Sequence, residues 1–401
     1  MFKDAENRGL DFHAYWFAGH FVWQGLSPYP PIAAVNPLVL EGSRLTLPIV
    51  YWDGAAVQTG EVGQTGFPTV PGLTAPAVLL ISVLSRFSWP VAVQLWTALN
   101  CLLLIVIVWA CTKLLDRPSV SYESLLLLFI AFSLIATRET LEFGQSTIFV
   151  LALMLVGLVL ADKNQMFGGL VLGIGLSKAT LIFPGLLILL YKRQYWGALA
   201  AIGMQIVGTG LLALLAHTSF TEIVAAYFRL LSVHAGMAGM HLGQGLLRNQ
   251  AGLQMGFVLL AASLVAAALI RLAHRREGRP VSPASVAFVL LVIGMLMGLL
   301  SFYHRRYDFV AGLLFLALLI VPGSQLADYF VLSDRQREVL WAAVAMVVGV
   351  WVFPIYLLTS PALYIYIFQS ATLAALAISF WLLFRVRWNP IHGNSIQKGE
   401  E

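Results

Sequence analysis

The chain has 401 residues, of which 59% are apolar and 11% charged. Soluble domains carry roughly 25% charged residues. With a mean hydropathy of +0.84 this chain cannot cover a water-facing surface, which excludes a soluble enzyme, a nucleic-acid-binding module and a disordered protein.

What remains is a polytopic helical membrane protein, with a formal charge of +5 to be located. Residues 1–72 are rich in Gly, Pro, Trp and Tyr and hold no apolar run long enough to span; Met1–Gly9 is polar and no signal-peptide core follows. Residues 73–87, interrupted by Pro76, amount to about half a span and predict an interfacial or juxtamembrane helix. Apolar runs then predict spans near 91–113, 122–137, 146–162, 195–216, 251–272, 284–301, 308–322, 339–358 and 363–384.

Residues 166–191 are too long for one span and short for two. They hold Gly168, Gly169, Gly173, Gly175, Lys178 and Pro184, and predict a pair of short helices or a re-entrant hairpin with Lys178 near its apex. Broken helices are tolerated at membrane depth where they line a polar cavity. The expected fold is therefore all-α, with about nine full spans plus this pair. It divides into a long extracytoplasmic loop with the juxtamembrane helix (1–90), a transmembrane helical domain (91–385) and a cytoplasmic tail (386–401). The apolar runs are continuous rather than alternating, which disfavours a barrel. Cys101 and Cys111 share one run and imply no disulfide framework.

Lys and Arg in short loops set orientation. Lys113 with Arg117, Lys163, Lys192 with Arg193, Arg271 with Arg275, Arg276 and Arg279, Arg335 with Arg337, and Arg385 with Arg387 mark one side as cytoplasmic. Residue 1 then lies outside, and the expected topology calls for a spanning helix upstream of Met1. The outer side should be poor in basic residues, yet it carries Arg138, Arg229, Arg248, Arg305 and Arg306, with Lys178 pointing the same way. Basic groups held there suggest a bound anion, phosphate being the usual one; the plainer alternative is snorkelling to headgroups.

Asp11 stands in Leu10-Asp11-Phe12-His13-Ala14-Tyr15-Trp16, followed by Gly25-Leu26-Ser27-Pro28-Tyr29. A carboxylate among aromatics loses solvation and becomes a usable base, and aromatic rings also wall sugar sites. A helix N-cap beside an aromatic belt reads equally well. Arg138 and Glu142 are spaced for a helical ion pair, or Arg138 and Gln145 enter a cavity, with Gly144 making the tight turn. Lys178 inside an apolar hairpin is a functional candidate or one half of an ion pair. In Tyr303-His304-Arg305-Arg306-Tyr307-Asp308 the Asp orients the His, pairs with an Arg, or sits in a polar turn. His217, His234 and His241 lack metal-ligand spacing, so neither metal nor cofactor is expected. The Gly- and Met-rich tract 236–245 reads as a loop over the site. No Walker A lysine, Rossmann turn or HExxH is present, so a donor has to reach an outer-facing site without cytosolic nucleotide.

These motifs resemble the polyprenol-phosphate-mannose-dependent mannosyltransferases, glycosyltransferase family 87, within the glycosyltransferase C superfamily. The likeness rests on Asp11-Phe12 with Tyr15 and Ala18, Gly25 with Pro28-Tyr29, Arg138 with Gly144-Gln145, Gly168-Gly169 with Gly173 and Lys178, and His304. It implies a single inverting displacement at the outer face of a bacterial cytoplasmic membrane. Asp11 would be the base. His304 would bind phosphate or assist proton transfer. Arg138, Lys178, Arg305 and Arg306 would hold the donor phosphate, and His13, Tyr15, Tyr29, Gln145 and His241 the sugar or acceptor. The implied partners are a polyprenyl-phosphate sugar, a lipid-linked or glycan acceptor and membrane lipid, with no nucleic acid. A lipid or glycan transporter, an oligosaccharide polymerase or ligase, and a non-catalytic subunit remain the alternatives.

Overall fold

The structure is a computed structural model. It describes residues 10–29, 48–52, 57–61, 73–235, 283–301, 306–322, 330, 332–352 and 361–385. The predicted runs at 251–272 and most of the 217–250 loop beyond residue 235 lie outside these residues.

Helix α1 (Leu10–Trp23) precedes a two-stranded antiparallel hairpin, β1 (Pro48–Trp52) and β2 (Val57–Glu61), in which Val50 faces Thr59. Beside this hairpin the described elements are helical, as the all-α expectation has it. The signal for the hairpin was present: Ile49-Val50-Tyr51-Trp52 followed by Asp53-Gly54 is β-branched and aromatic sequence running into a turn dipeptide. The interfacial segment becomes α2 (Ala75–Ile81) and a 3-10 turn (Ser82–Arg86). Pro at the start of α2 suits a first helical turn, where its missing N–H costs nothing.

The helical bundle continues with α3 (Trp89–Leu114), α4 (Tyr122–Ser133), α5 (Ile135–Phe143), α6 (Thr147–Ala161), α7 (Gln165–Gly175), α8 (Ala179–Tyr191), α9 (Tyr195–Leu215) and α10 (Phe220–Ala235). After the next described residues come α11 (Pro283–Ser301), a 3-10 turn (Arg306–Gly312), α12 (Leu313–Ile320), α13 (Asp334–Val352) and α14 (Pro361–Arg385). Among the described residues, α3 and α9 are each long and apolar enough to cross a membrane. Their 26 and 21 residues reach about 39 and 31 Å at 1.5 Å per residue. Both turn large apolar side chains outward, Leu102 at 61% and Ile105 at 48% exposure on α3, Val207 at 65% and Leu214 at 75% on α9. In water such faces would be untenable; in lipid they are the expected surface.

Two predicted spans take other forms, at 122–137 and 308–322, while the run at 146–162 keeps its bounds to within one residue. The run at 122–137 becomes α4 and α5, bent by 58° where Leu134 adopts extended backbone, and it extends to Phe143. The run at 146–162 becomes the 15-residue α6, almost wholly buried. The run at 308–322 divides into the 3-10 turn and the eight-residue α12.

Segment 166–191 is a helix pair, α7 and α8, joined by a 3-10 turn at Leu176–Lys178. Its glycines serve packing rather than breakage. A Cβ on Gly169 would lie 2.1 Å from the Gly197 carbonyl oxygen of α9, so the two backbones touch directly, as small residues permit between helices in membranes. The Gln205 side chain also donates to the Gly173 carbonyl at 2.5 Å. This tight α6–α7–α9 packing sets where α7 ends, and Lys178 stands at that end.

Candidate functional site

Four separate pieces of chain converge on one polar cluster. Helix α1 brings Asp11 and Tyr15, the α5–α6 junction brings Gln145, Ser146 and Thr147, the α7–α8 break brings Lys178, and the 3-10 turn before α12 brings Asp308.

Helix α1 is held by stacking. Phe12 is buried with its ring 5.7 Å from Trp89 and 5.1 Å from Trp96, and the next face up the helix packs Ala18 and Val22 into the core. Offset aromatic stacks of this kind add stability beyond their buried area. With Phe12 locked inward, Asp11 is half-buried at the start of the helix.

The α5–α6 junction is set by Gly144, which closes α5 at φ 70°, a left-handed conformation that a side chain would strain. Its carbonyl accepts from the Trp96 indole at 2.9 Å, and Gln145 N–H caps back onto Thr140 at 2.9 Å. The turn then presents three consecutive polar side chains. Gln145 Nε2 donates to an Asp11 carboxylate oxygen. Ser146 Oγ is 3.2 Å from the Tyr15 hydroxyl. Thr147 Oγ1 donates to Asp308 Oδ1 at 2.5 Å. All three are buried.

Lys178 Nζ donates to Asp308 Oδ1 at 2.7 Å, Thr147 Oγ1 at 2.8 Å and Gln145 Oε1 at 3.3 Å. Burial, and then the nearby Asp11 charge, hold the Tyr15 hydroxyl above its ordinary range, so it stays a neutral hydrogen-bonding group.

Asp11, Tyr15, Gln145 and Lys178, singled out separately in the sequence, therefore meet. Asp308 joins them through Lys178, the acid-pairing alternative for that lysine. Ser146 and Thr147 carry one signal in the sequence, a Gln-Ser-Thr triplet that opens an apolar helix. Arg138 is exposed on α5. Tyr29 donates its hydroxyl to the Leu73 carbonyl at 2.6 Å and packs its ring against Tyr227, tying the α1 exit to the start of α2. Arg306 opens the 3-10 turn, and His241, His304 and Arg305 lie outside the described residues.

His13 sits edge-on to Phe17 at 4.1 Å and to Trp89 at 4.6 Å. Burial pushes its pKa down from 6.5 to about 4, so at neutral pH it is an uncharged ring. Because the unfolded chain takes up this proton first, the native state loses stability as pH falls from 6.5 towards 4, by ~3 kcal/mol in full. We expect the melting temperature of His13→Phe to fall less than wild type between pH 6.5 and 4; equal falls would show that His13 does not carry this dependence.

Among the described residues no three His, Cys, Asp or Glu side chains could hold a metal ion together. Comparison with known proteins bears on the chemistry. The model of glycosyltransferase family 87 matches residues 74–301, from α2 to the end of α11, which is more than half of the chain. The chain belongs to glycosyltransferase family 87. No curated protein and no solved structure matches it significantly. As a family 87 member it is a membrane glycosyltransferase, with sugar donor and acceptor as substrates. The matched stretch contains Arg138, Gln145, Thr147 and Lys178, whereas Asp11 and Asp308 flank it on either side.

Proposed function

We propose that this glycosyltransferase moves a sugar, mannose by family resemblance, from a polyprenyl-phosphate donor to a hydroxyl of a lipid-linked or glycan acceptor at the outer face of a bacterial cytoplasmic membrane. The observation that carries the reading is the seating of the Asp11 carboxylate, half-buried and oriented by Gln145, in a polar cluster at one end of an apolar bundle.

In this reaction Asp11 accepts the acceptor hydroxyl's proton while that oxygen bonds to the anomeric carbon. The bond from that carbon to the phosphate oxygen breaks, and the lipid phosphate leaves with the electron pair, inverting the centre. Arg138, Arg305 and Arg306 stabilise the negative charge that develops on the leaving group. His304 assists at the phosphate. Tyr15, Gln145, His13, Tyr29 and His241 are the candidates for sugar and acceptor contacts. The nine-span topology and the outward-facing site belong to the same proposal, supported by the distribution of Lys and Arg.

The test is donor choice. The purified chain, reconstituted in vesicles with native lipid extract as acceptor, is offered radiolabelled polyprenyl-phosphate mannose or a nucleotide-linked mannose. We expect labelled product from the lipid donor alone. Equal transfer from the nucleotide sugar would overturn the donor class, and movement of the lipid across the bilayer without product would favour a transporter.

A further inference from the structure

We propose that Lys178 and Asp308 act on the base rather than on the donor: as an ion pair they hold the Gln145 amide in the one orientation that offers an N–H to Asp11. Both are then positioning residues for the transfer proposed above, and the inference rests on that reading.

An ammonium has three N–H donors and no acceptor. Lys178 meets three acceptors, on Asp308, Thr147 and Gln145, so a donor phosphate would have to displace one of them. Because Nζ cannot accept, the Gln145 atom facing it has to be the carbonyl oxygen. The other end of that amide is then the NH2 group, and it faces Asp11. A flipped amide would set its oxygen against the carboxylate and its NH2 against the N–H donors of the lysine. The network thus decides an orientation that the side chain alone leaves open.

That orientation suits a base. An N–H donor favours the ionised, proton-accepting carboxylate. Charge balance works the same way. Lys178 is neutralised by Asp308 at 2.7 Å, and Thr147 bridges the same two groups. The Gln145 amide, a neutral group, stands between Asp11 and Lys178. Were Lys178 paired directly with Asp11, the carboxylate would be a poorer base.

The test uses full-length protein in vesicles. In the double variant Lys178→Met/Asp308→Leu both charges go, and apolar replacement of a buried pair is commonly tolerated by the fold. We expect melting as in wild type, donor KM within about twofold and kcat lowered about 100-fold, the scale of a misplaced reacting group. The acid limb of its pH–rate profile should move to higher pH. Asp308→Asn frees the lysine cation towards Asp11 and should move that limb to lower pH. The remaining titratable groups on α1 and on the elements packed against it, chiefly His13, Tyr15, Arg86, Arg138, Glu139 and Glu142, are common to both variants and do not produce opposite shifts. A double variant with wild-type kcat and pH profile would overturn the inference, as would a tenfold rise in donor KM at unchanged kcat, which would assign Lys178 to the phosphate. If Asp11→Asn is active as well, the underlying reading falls; if Asp11→Asn is inactive while the double variant is normal, only the relay falls.

Discussion

Replacing Asp11 by Asn is expected to lower sugar transfer about 100- to 10,000-fold, the range for loss of a general base. The variant keeps the shape of the side chain and an oxygen that can still accept from Gln145 Nε2. Helix α1 is anchored by Phe12 between Trp89 and Trp96, so the fold does not depend on the lost charge. The fall should therefore appear in kcat, with donor binding to vesicle-reconstituted protein retained. Asp11→Glu should recover part of the activity, because the base returns with its oxygen displaced by about one methylene, a shift of the size that costs up to about 100-fold. Turnover by Asp11→Asn at the wild-type rate would remove Asp11 from the mechanism.

The second large effect is on the fold. Gly169→Leu should lower stability by about 3 kcal/mol or more, at the upper end of overpacking costs. The reason is backbone, not side chain: the first added carbon would meet the Gly197 carbonyl oxygen at 2.1 Å, and no rotamer relieves that. Helices α7 and α9 would have to part, and Lys178, just beyond the end of α7, would move with them, so transfer should fall too. Gly203→Ala on α9 is the control. A Cβ there meets nothing within 4 Å, and the gain in helix propensity should raise stability by about 0.5–1 kcal/mol. Thermal melting of the two variants in detergent tests this; equal melting would show that the α7–α9 contact is not tight.

How much of this was legible follows from how local each cause is. The bend at Leu134 lies in Ser133-Leu134-Ile135, which has neither Pro nor Gly, so no residue announces it. The partners of the polar residues at the start of α6, Gln145 and Thr147, likewise come from other elements. The glycines of 168–175 were legible as unusual, but their spacing reads equally as breakage or as close packing, and only the presence of α9 against that face separates the two.

By itself the sequence determined that the chain is an apolar helical membrane protein. It also determined where most apolar helices run and which few polar residues, Asp11, Gln145 and Lys178 among them, stand out against apolar or aromatic neighbours. Those are properties of composition and neighbourhood, since transfer of a side chain from water depends on its own atoms. Only the tertiary structure decided which polar groups satisfy one another. Asp11 meets Gln145 across 134 positions and Lys178 meets Asp308 across 130. A buried charge has to find a partner, but nothing in its local sequence says which one; that choice is made where four separately folded pieces of chain are packed against each other.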